Sequence, residues 1–129
     1  MSESEAIQEW KDSAVEDLEL SDELFESGRN HHSLFFLHLA IEKLLKALHQ
    51  HQKHEPAPYI HDLSKLAAKV DFDLDTDTQN QLDEITTYNV SARYGWIKKK
   101  LFEKSTAEYT EKWKKIGKEL FTRFLSLLP

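Results

Sequence analysis

The chain has 129 residues, a formal net charge of −6, three Gly, three Pro and no Cys. This length suits one domain over residues 1–129, with a core large enough to fold without metal or disulfide bonds. The absence of Cys excludes disulfide frameworks, thiol nucleophiles and Cys-ligated zinc or iron–sulfur sites, and the scarcity of Gly and Pro favours long helices.

Two long helices are predicted in the first half of the chain. Apolar residues recur at helical spacing from Ile7 to Phe25, which predicts a helix over about residues 4–27, with Ser2 or Ser4 as its N-cap. Gly28 ends it, because glycine adopts the left-handed conformation without steric cost. A second helix, over about residues 32–52, is apolar nearly all round in its first half, which indicates a central helix.

A short helix and a fourth helix follow the break at Pro56 and Pro58. Asp62 can cap the short helix, whose apolar residues are Leu63, Leu66, Ala67 and Val70. The fourth helix carries Leu82, Ile85 and Tyr88 and extends toward Tyr94, where Gly95 can end it.

Residues 98–104 are predicted as a polar loop, or as a continuation of the fourth helix if Gly95 is tolerated. The last helix begins at about Thr106, and one apolar stripe follows it: Tyr109, Trp113, Ile116, Leu120 and Phe124. Because no segment alternates with period two for long enough to form a strand, we predict an all-α antiparallel up-and-down bundle of about five helices.

Neither export nor membrane insertion is indicated. The N-terminus is acidic where a secretory signal would be basic, and the longest nearly apolar stretch covers only residues 34–41, whereas a membrane-spanning helix needs about 20 residues. We therefore expect a cytoplasmic protein that does not contact membranes.

Charge alternates along the chain. Residues 1–27 sum to −9, residues 28–70 to +3, residues 71–90 to −6 and residues 91–129 to +6. Such elements can pair within the bundle or between subunits, or leave a basic face for a polyanion. The acidic total favours pairing, since general nucleic-acid binding depends on positive charge.

The seven His residues do not form a metal-binding pattern. Two helical ligands must lie three or four residues apart to face one ion, and His49 and His51 diverge by about 200°. His51 and His54 can converge, but only at the helix end near Pro56. A solvated polar helix end explains them better, and we predict neither a metal site nor a cofactor.

Three polar residues lie on one face of the second, apolar helix. His38, Glu42 and Lys46 are four residues apart, and Glu42 before Lys46 is the favoured order for an ion pair. One interpretation is an exposed helix edge. The other is a polar patch lining a groove, with His38 as a proton carrier and Glu42 fixing its tautomer.

A second candidate site surrounds Arg93, one of three Arg among the 17 basic residues. A planar guanidinium grips phosphate through two bonds, which lysine cannot do. Tyr94 and Trp96 add stacking surface of the kind that nucleotides use. Positive charge follows at Lys98, Lys99 and Lys100. The pattern predicts a phosphate-binding site, with a solvated basic loop as the alternative.

The sequence resembles the HEPN family, named for nucleotide binding in higher eukaryotes and prokaryotes. Four stretches in family order carry the likeness, and SLFFLHLAIEKLLKAL is the most distinctive: residues 10–18, 33–48, 61–66 and 88–94. The resemblance implies an antiparallel helical bundle, usually dimeric, with a groove at the dimer interface. Many members are metal-independent ribonucleases, and many are toxins encoded beside a small nucleotidyltransferase that acts as antitoxin.

The family signature is Arg, four to six residues, then His. Arg93 matches the Arg, but the permitted His positions are Lys98, Lys99 and Lys100. Cleavage through the 2′-hydroxyl needs a proton carrier active near neutral pH, which His provides at a pKa of about 6.5 and Lys, at about 10.4, does not. Lysine can still stabilise phosphate charge.

Our first hypothesis is therefore a homodimer that binds a nucleotide or the phosphates of single-stranded RNA without the standard nuclease centre. It corresponds to the HEPN half of a nucleotidyltransferase–HEPN toxin–antitoxin module. Its binding residues are Arg93, Tyr94, Lys98, Lys99, Glu42 and Lys46. Two alternatives stay open: an RNase in which His38 replaces the missing His across the groove, and a non-catalytic adaptor for a nucleotidyltransferase partner.

Overall fold

Six helices make up the structure, a computed structural model that describes residues 1–90 and 95–129. They are α1 (Glu3–Glu26), α2 (Asn30–Lys53), α3 (Leu63–Ala68), α4 (Thr76–Thr86), α5 (Gly95–Lys104) and α6 (Ala107–Leu125). These two described ranges contain no strand, which confirms the all-α class. Within the same ranges, no helix is both long enough and apolar enough to cross a membrane.

The α1–α2 hairpin is the centre of the fold. The Ser2 hydroxyl accepts the amide of Glu5 at 3.1 Å, so Ser2 is the N-cap. Gly28 adopts a φ of 80° just after α1, as expected, and the turn returns the chain antiparallel to α1. Among the described helices, α2 contributes the largest share of core side chains, which confirms its central position: Leu34, Leu37, Ala40, Ile41, Leu44, Leu45, Ala47 and Leu48.

Asp62 caps α3, as the sequence predicts, because its carboxylate accepts the amide of Lys65 at 3.1 Å. The fourth helix was expected to extend toward Tyr94, and this is wrong, since α4 ends at Thr86. The amides of Thr87 and Tyr88 bond carbonyls three residues back, and this tightening closes the helix. Residues 91–94, including Arg93 and Tyr94, lie outside the described residues.

Gly95 is the first described residue of α5, so residues 98–104 are helical and do not form a polar loop. The described ranges hold six helices, which agrees with the predicted bundle of about five. The inward side of α5 consists only of Leu101, which is buried, and Ile97, which packs partly buried against the core. A two-residue apolar stripe is too short to show a helical period in the sequence.

The last helix, α6, packs closely on α2 at Gly117. A Cβ atom added to Gly117 would lie 2.6 Å from Cδ2 of Leu37, a fully buried residue. The glycine therefore lets the two helices approach, which explains a residue that otherwise weakens a helix interior.

Candidate functional site

The three polar residues His38, Glu42 and Lys46 of α2 lie inside the protein instead of on an exposed edge. His38 is fully buried, and Glu42 and Lys46 are each 6% exposed. His61, whose side chain is 64% exposed, contacts this group from the segment before α3. Glu42 Oε2 lies 3.2 Å from Lys46 Nζ, while His61 Nδ1 donates to Glu42 Oε1 at 3.0 Å. The ring of Trp10, on α1, covers the Lys46 ammonium at 5.6 Å.

The His61 carbonyl, and not Glu42, fixes the tautomer of His38. The Nε2 atom of His38 lies 3.0 Å from this carbonyl oxygen. A carbonyl only accepts, so Nε2 carries the proton and donates it. Glu42 Oε1 is 3.7 Å from the same nitrogen, which is too far for a hydrogen bond. Burial lowers the pKa of His38 and favours the neutral ring.

Burial separates His38 from any substrate in this conformation. Its bond to His61 ties the segment before α3 to the middle of α2, and an RNA would have to displace that segment to reach the ring. Cleavage by His38 therefore stays a prediction, while the geometry supports a structural role for this residue.

Two histidines near the end of α2 contact carboxylates. His54 Nδ1 lies 2.8 Å from Glu3 Oε1, which joins this end of α2 to the start of α1, and His49 Nε2 lies 3.5 Å from Glu55 Oε1. Within residues 1–90 and 95–129, no three His, Asp or Glu side chains are placed to hold one metal ion.

The α5 helix presents its lysines to solvent. Lys98, Lys99 and Lys100 are all exposed, and successive residues of a helix point about 100° apart. Lys99 lies 3.9 Å from Glu103 on the outer side, and Lys100 lies over the exposed Trp96 ring at 5.0 Å. No hydrogen bond or ion pair among the described residues joins α5 to Glu42 or Lys46. The predicted binding residues on α5 and those on α2 therefore form two separate sites.

A pocket of about 220 Å³ opens between the start of α2 and α5. We term it the α2–α5 pocket. His31, His32 and Phe35 line it from α2, Lys98 lines it from α5, and Val90 completes it. Arg93 is three residues along the sequence from Val90, and its own position lies outside the described residues.

The two pocket histidines were missed by the sequence analysis. Their ring centres are 4.0 Å apart, and the His31 ring meets the edge of Phe102 at 5.2 Å. Burial, with a smaller influence from the charge of His32, lowers the pKa of His31. Two adjacent histidines at a helix start were visible in the sequence, but their contact with α5 depends on the fold.

Comparison with known proteins identifies a family and a related structure. A family model described as HEPN domain matches residues 7–126. The crystal structure of TT1696 from Thermus thermophilus matches with a TM-score of 0.77 and 18% identity, covering 95% of this chain and 98% of that chain. At that identity the likeness shows a shared helical fold. No curated protein sequence matches the chain.

Proposed function

Since the chain belongs to the HEPN domain family, we propose that it binds a nucleotide or the phosphates of single-stranded RNA without the family's standard nuclease centre. The observation that carries the proposal is the run of exposed lysines on α5 beside the α2–α5 pocket. Lys98, Lys99 and Lys100 occupy the positions where the family motif has its His. A lysine is a point charge suited to phosphate, and its ordinary pKa makes it a poor proton carrier at neutral pH.

The remaining predicted residues divide between contact and support. Arg93 is proposed to grip a phosphate through two bonds, with Tyr94 adding stacking surface, as the chemistry of these side chains suggests. Glu42 and Lys46 neutralise one another inside the protein, so we assign them to holding the fold. The phosphates then meet mainly the lysines of α5 and Arg93.

Salt dependence of RNA binding tests this function. For a single strand, the logarithm of affinity falls with the logarithm of salt concentration with a slope of about −0.7 per neutralised phosphate. We expect Lys98→Ala and Lys99→Ala each to weaken the binding of a labelled single-stranded RNA and to reduce the slope by about 0.7. Arg93→Ala should weaken binding as well. Fluorescence anisotropy across a salt series measures both quantities.

Lys65→Ala is the matched control, because Lys65 is exposed on α3, away from α5. Equal affinities and slopes in the α5 variants and in this control would contradict the proposal. Gel analysis of the same samples, kept free of metal, reports cleavage. If the wild-type protein shortens the RNA and the His38→Ala variant does not, the result would instead support the RNase hypothesis.

An adaptor function is the second candidate, and the solvent face of α1 favours it. Seven acidic residues follow one another there at intervals of three and four, all exposed and without an ion pair among the described residues: Glu5, Glu9, Asp12, Glu16, Glu19, Glu23 and Glu26. Such a face suits a basic surface on a nucleotidyltransferase. Co-purification with a nucleotidyltransferase encoded beside this chain, lost when these acids become amides, would distinguish the adaptor from an RNA-binding protein.

We propose in addition that the protein is a homodimer, as the family resemblance implies. The exposed aromatic side chains of α5 support this: Trp96 is 59% and Phe102 is 62% exposed. Exposed aromatic residues of this size are enriched where protein surfaces meet.

A further inference from the structure

The α2–α5 pocket combines charge with a small apolar floor. Among the described residues, five line the pocket: His31, His32 and Lys98 can carry a positive charge, while Phe35 and Val90 are apolar. No acidic residue lines it among the described residues. The pocket therefore attracts an anion and offers no carboxylate to oppose it.

The volume limits the size of that anion. Pockets that enclose whole drug-sized ligands measure about 300–1,000 Å³, whereas this one measures about 220 Å³. It accommodates one charged group with a small apolar attachment, and not a folded polynucleotide. A strand lying along α5 could place only its end there.

The His31 ring is already held in position by two neighbouring rings. The His31 ring is half-buried between the His32 ring and the edge of Phe102, so little side-chain freedom is lost when it binds a ligand. Lys98 and Phe102 lie four residues apart on the same side of α5. That side of α5 therefore supplies both the ammonium and the ring that supports His31.

We propose that the α2–α5 pocket binds a terminal phosphate, the phosphomonoester at the end of an RNA strand or of a mononucleotide. An internal phosphodiester carries one negative charge, whereas a phosphomonoester carries up to two and exposes three acceptor oxygens. Two imidazoles and one ammonium can each donate to one of those oxygens. This inference rests on the proposed function, in which α5 binds the rest of the strand.

Proton uptake should accompany binding. His31 faces His32 from α2 and Lys98 from α5, and these are the titratable residues lining the pocket among those described. Because burial and His32 keep the pKa of His31 below its usual value, the free ring is largely neutral above neutral pH. A phosphate dianion favours the charged ring, so affinity should rise as the pH falls from about 8 to about 6.5. It should fall again below about pH 6, where the phosphate dianion takes up one proton and becomes a monoanion.

Three versions of one short RNA test the assignment: a 5′-phosphate, a 3′-phosphate and hydroxyl groups at both ends, each titrated with the full chain. We expect one phosphorylated version to bind about tenfold more tightly than the hydroxyl version at about pH 6.5, as charge-assisted hydrogen bonds imply. His31→Gln and His32→Gln should each reduce this preference and its pH dependence. Inorganic phosphate should compete with the phosphorylated RNA but not with the hydroxyl version.

His54→Gln is the control, since His54 lies at the far end of α2, and unfolding curves confirm that each variant is folded. Equal binding of all three RNAs by the wild-type protein would overturn the pocket assignment and leave the proposed function standing. Failure of all three to bind would overturn the proposed function itself. Shortening of the RNA that His31→Gln abolishes would also overturn the assignment, since the histidine pair would then act in cleavage.

Discussion

A single buried histidine links two parts of the backbone. His38 donates from Nε2 to the carbonyl of His61 at 3.0 Å, and burial favours its neutral ring. An imidazole that must stay neutral in the folded state, but can take up a proton when unfolded, makes folding depend on pH. The residue that sequence reasoning offered as a proton carrier is, in the folded protein, a hydrogen-bond donor to the backbone.

We expect acid to destabilise the protein through His38. The folded pKa lies below the unfolded value of about 6.5, so below that pH the unfolded chain binds more protons. The free energy of unfolding should fall as pH drops from about 7.5 to about 5, by at most about 1.4 kcal/mol per pH unit for this one proton. His38→Gln, whose amide can still donate to the carbonyl, should make this slope shallower.

Urea denaturation at several pH values measures the slope. Part of it should persist in His38→Gln, because the pKa of His31 is also lowered by burial. His51→Gln, on the same helix, is the control and should retain the wild-type slope. A His38→Gln slope equal to that of the wild type would contradict the assignment of a neutral buried ring.

At the scale of the elements, local signals identified most helices but not their contacts. Ser2, Gly28 and Asp62 act within one turn of the chain, so caps and helix ends could be read directly from the sequence. The α5 helix could not be read from the sequence in this way. Only Leu101 of this helix is buried, and the other contacts that hold α5 are made with residues distant in the chain. The α2–α5 pocket has the same origin, since His31 and Lys98 are far apart in the chain.

The contact between α2 and α6 gives a prediction about Gly117. Gly117→Ala places a methyl group against the buried Leu37 side chain, and overpacking of this kind costs about 1–3 kcal/mol. Improved helix propensity returns about 1 kcal/mol. We expect a net loss of about 1 kcal/mol in the free energy of unfolding, measured by chemical denaturation.

Two further variants isolate the cause. A methyl group at Gly95 would meet no atom of the described residues within 4 Å, so Gly95→Ala should be neutral or stabilising by about 0.4–1 kcal/mol. In a Leu37→Ala background, Gly117→Ala should cost nothing, because the space it needs has been vacated. If Gly117→Ala lowered the free energy of unfolding equally in the wild-type and Leu37→Ala backgrounds, the close packing of α2 on α6 would not be the reason for a glycine at this position.

The charge of the whole molecule is spatially divided. The exposed face of α1 is acidic, whereas α5 exposes three consecutive lysines, so the net charge of −6 describes neither surface. The alternation along the sequence predicted this division. The alternation could not distinguish charged residues that pair within the protein from charged faces that remain open to solvent. Both occur: Lys114 is buried against Asp22, while the lysines of α5 are exposed.

We predict that two chains assemble through α5. Isolated helices of fewer than about 12–15 residues are marginal in water, and α5 runs only from Gly95 to Lys104. A second copy that covers Trp96 would stabilise it, and a two-fold axis would use that surface twice. We expect sedimentation equilibrium to give twice the chain mass of 15.1 kDa, and Trp96→Ser to shift the protein toward the monomer.

Tyr59→Ser is the matched control, because Tyr59 is fully exposed on the segment before α3 and should leave the dimer intact. A mass of 15.1 kDa at every concentration would contradict the homodimer. If Trp96→Ser kept the dimeric mass but lost RNA affinity, the ring would be stacking on bases, and the interface assignment would be wrong. Loss of the dimer together with weaker RNA binding would indicate that the two α5 helices form one binding surface across the interface, since each copy contributes its own lysines.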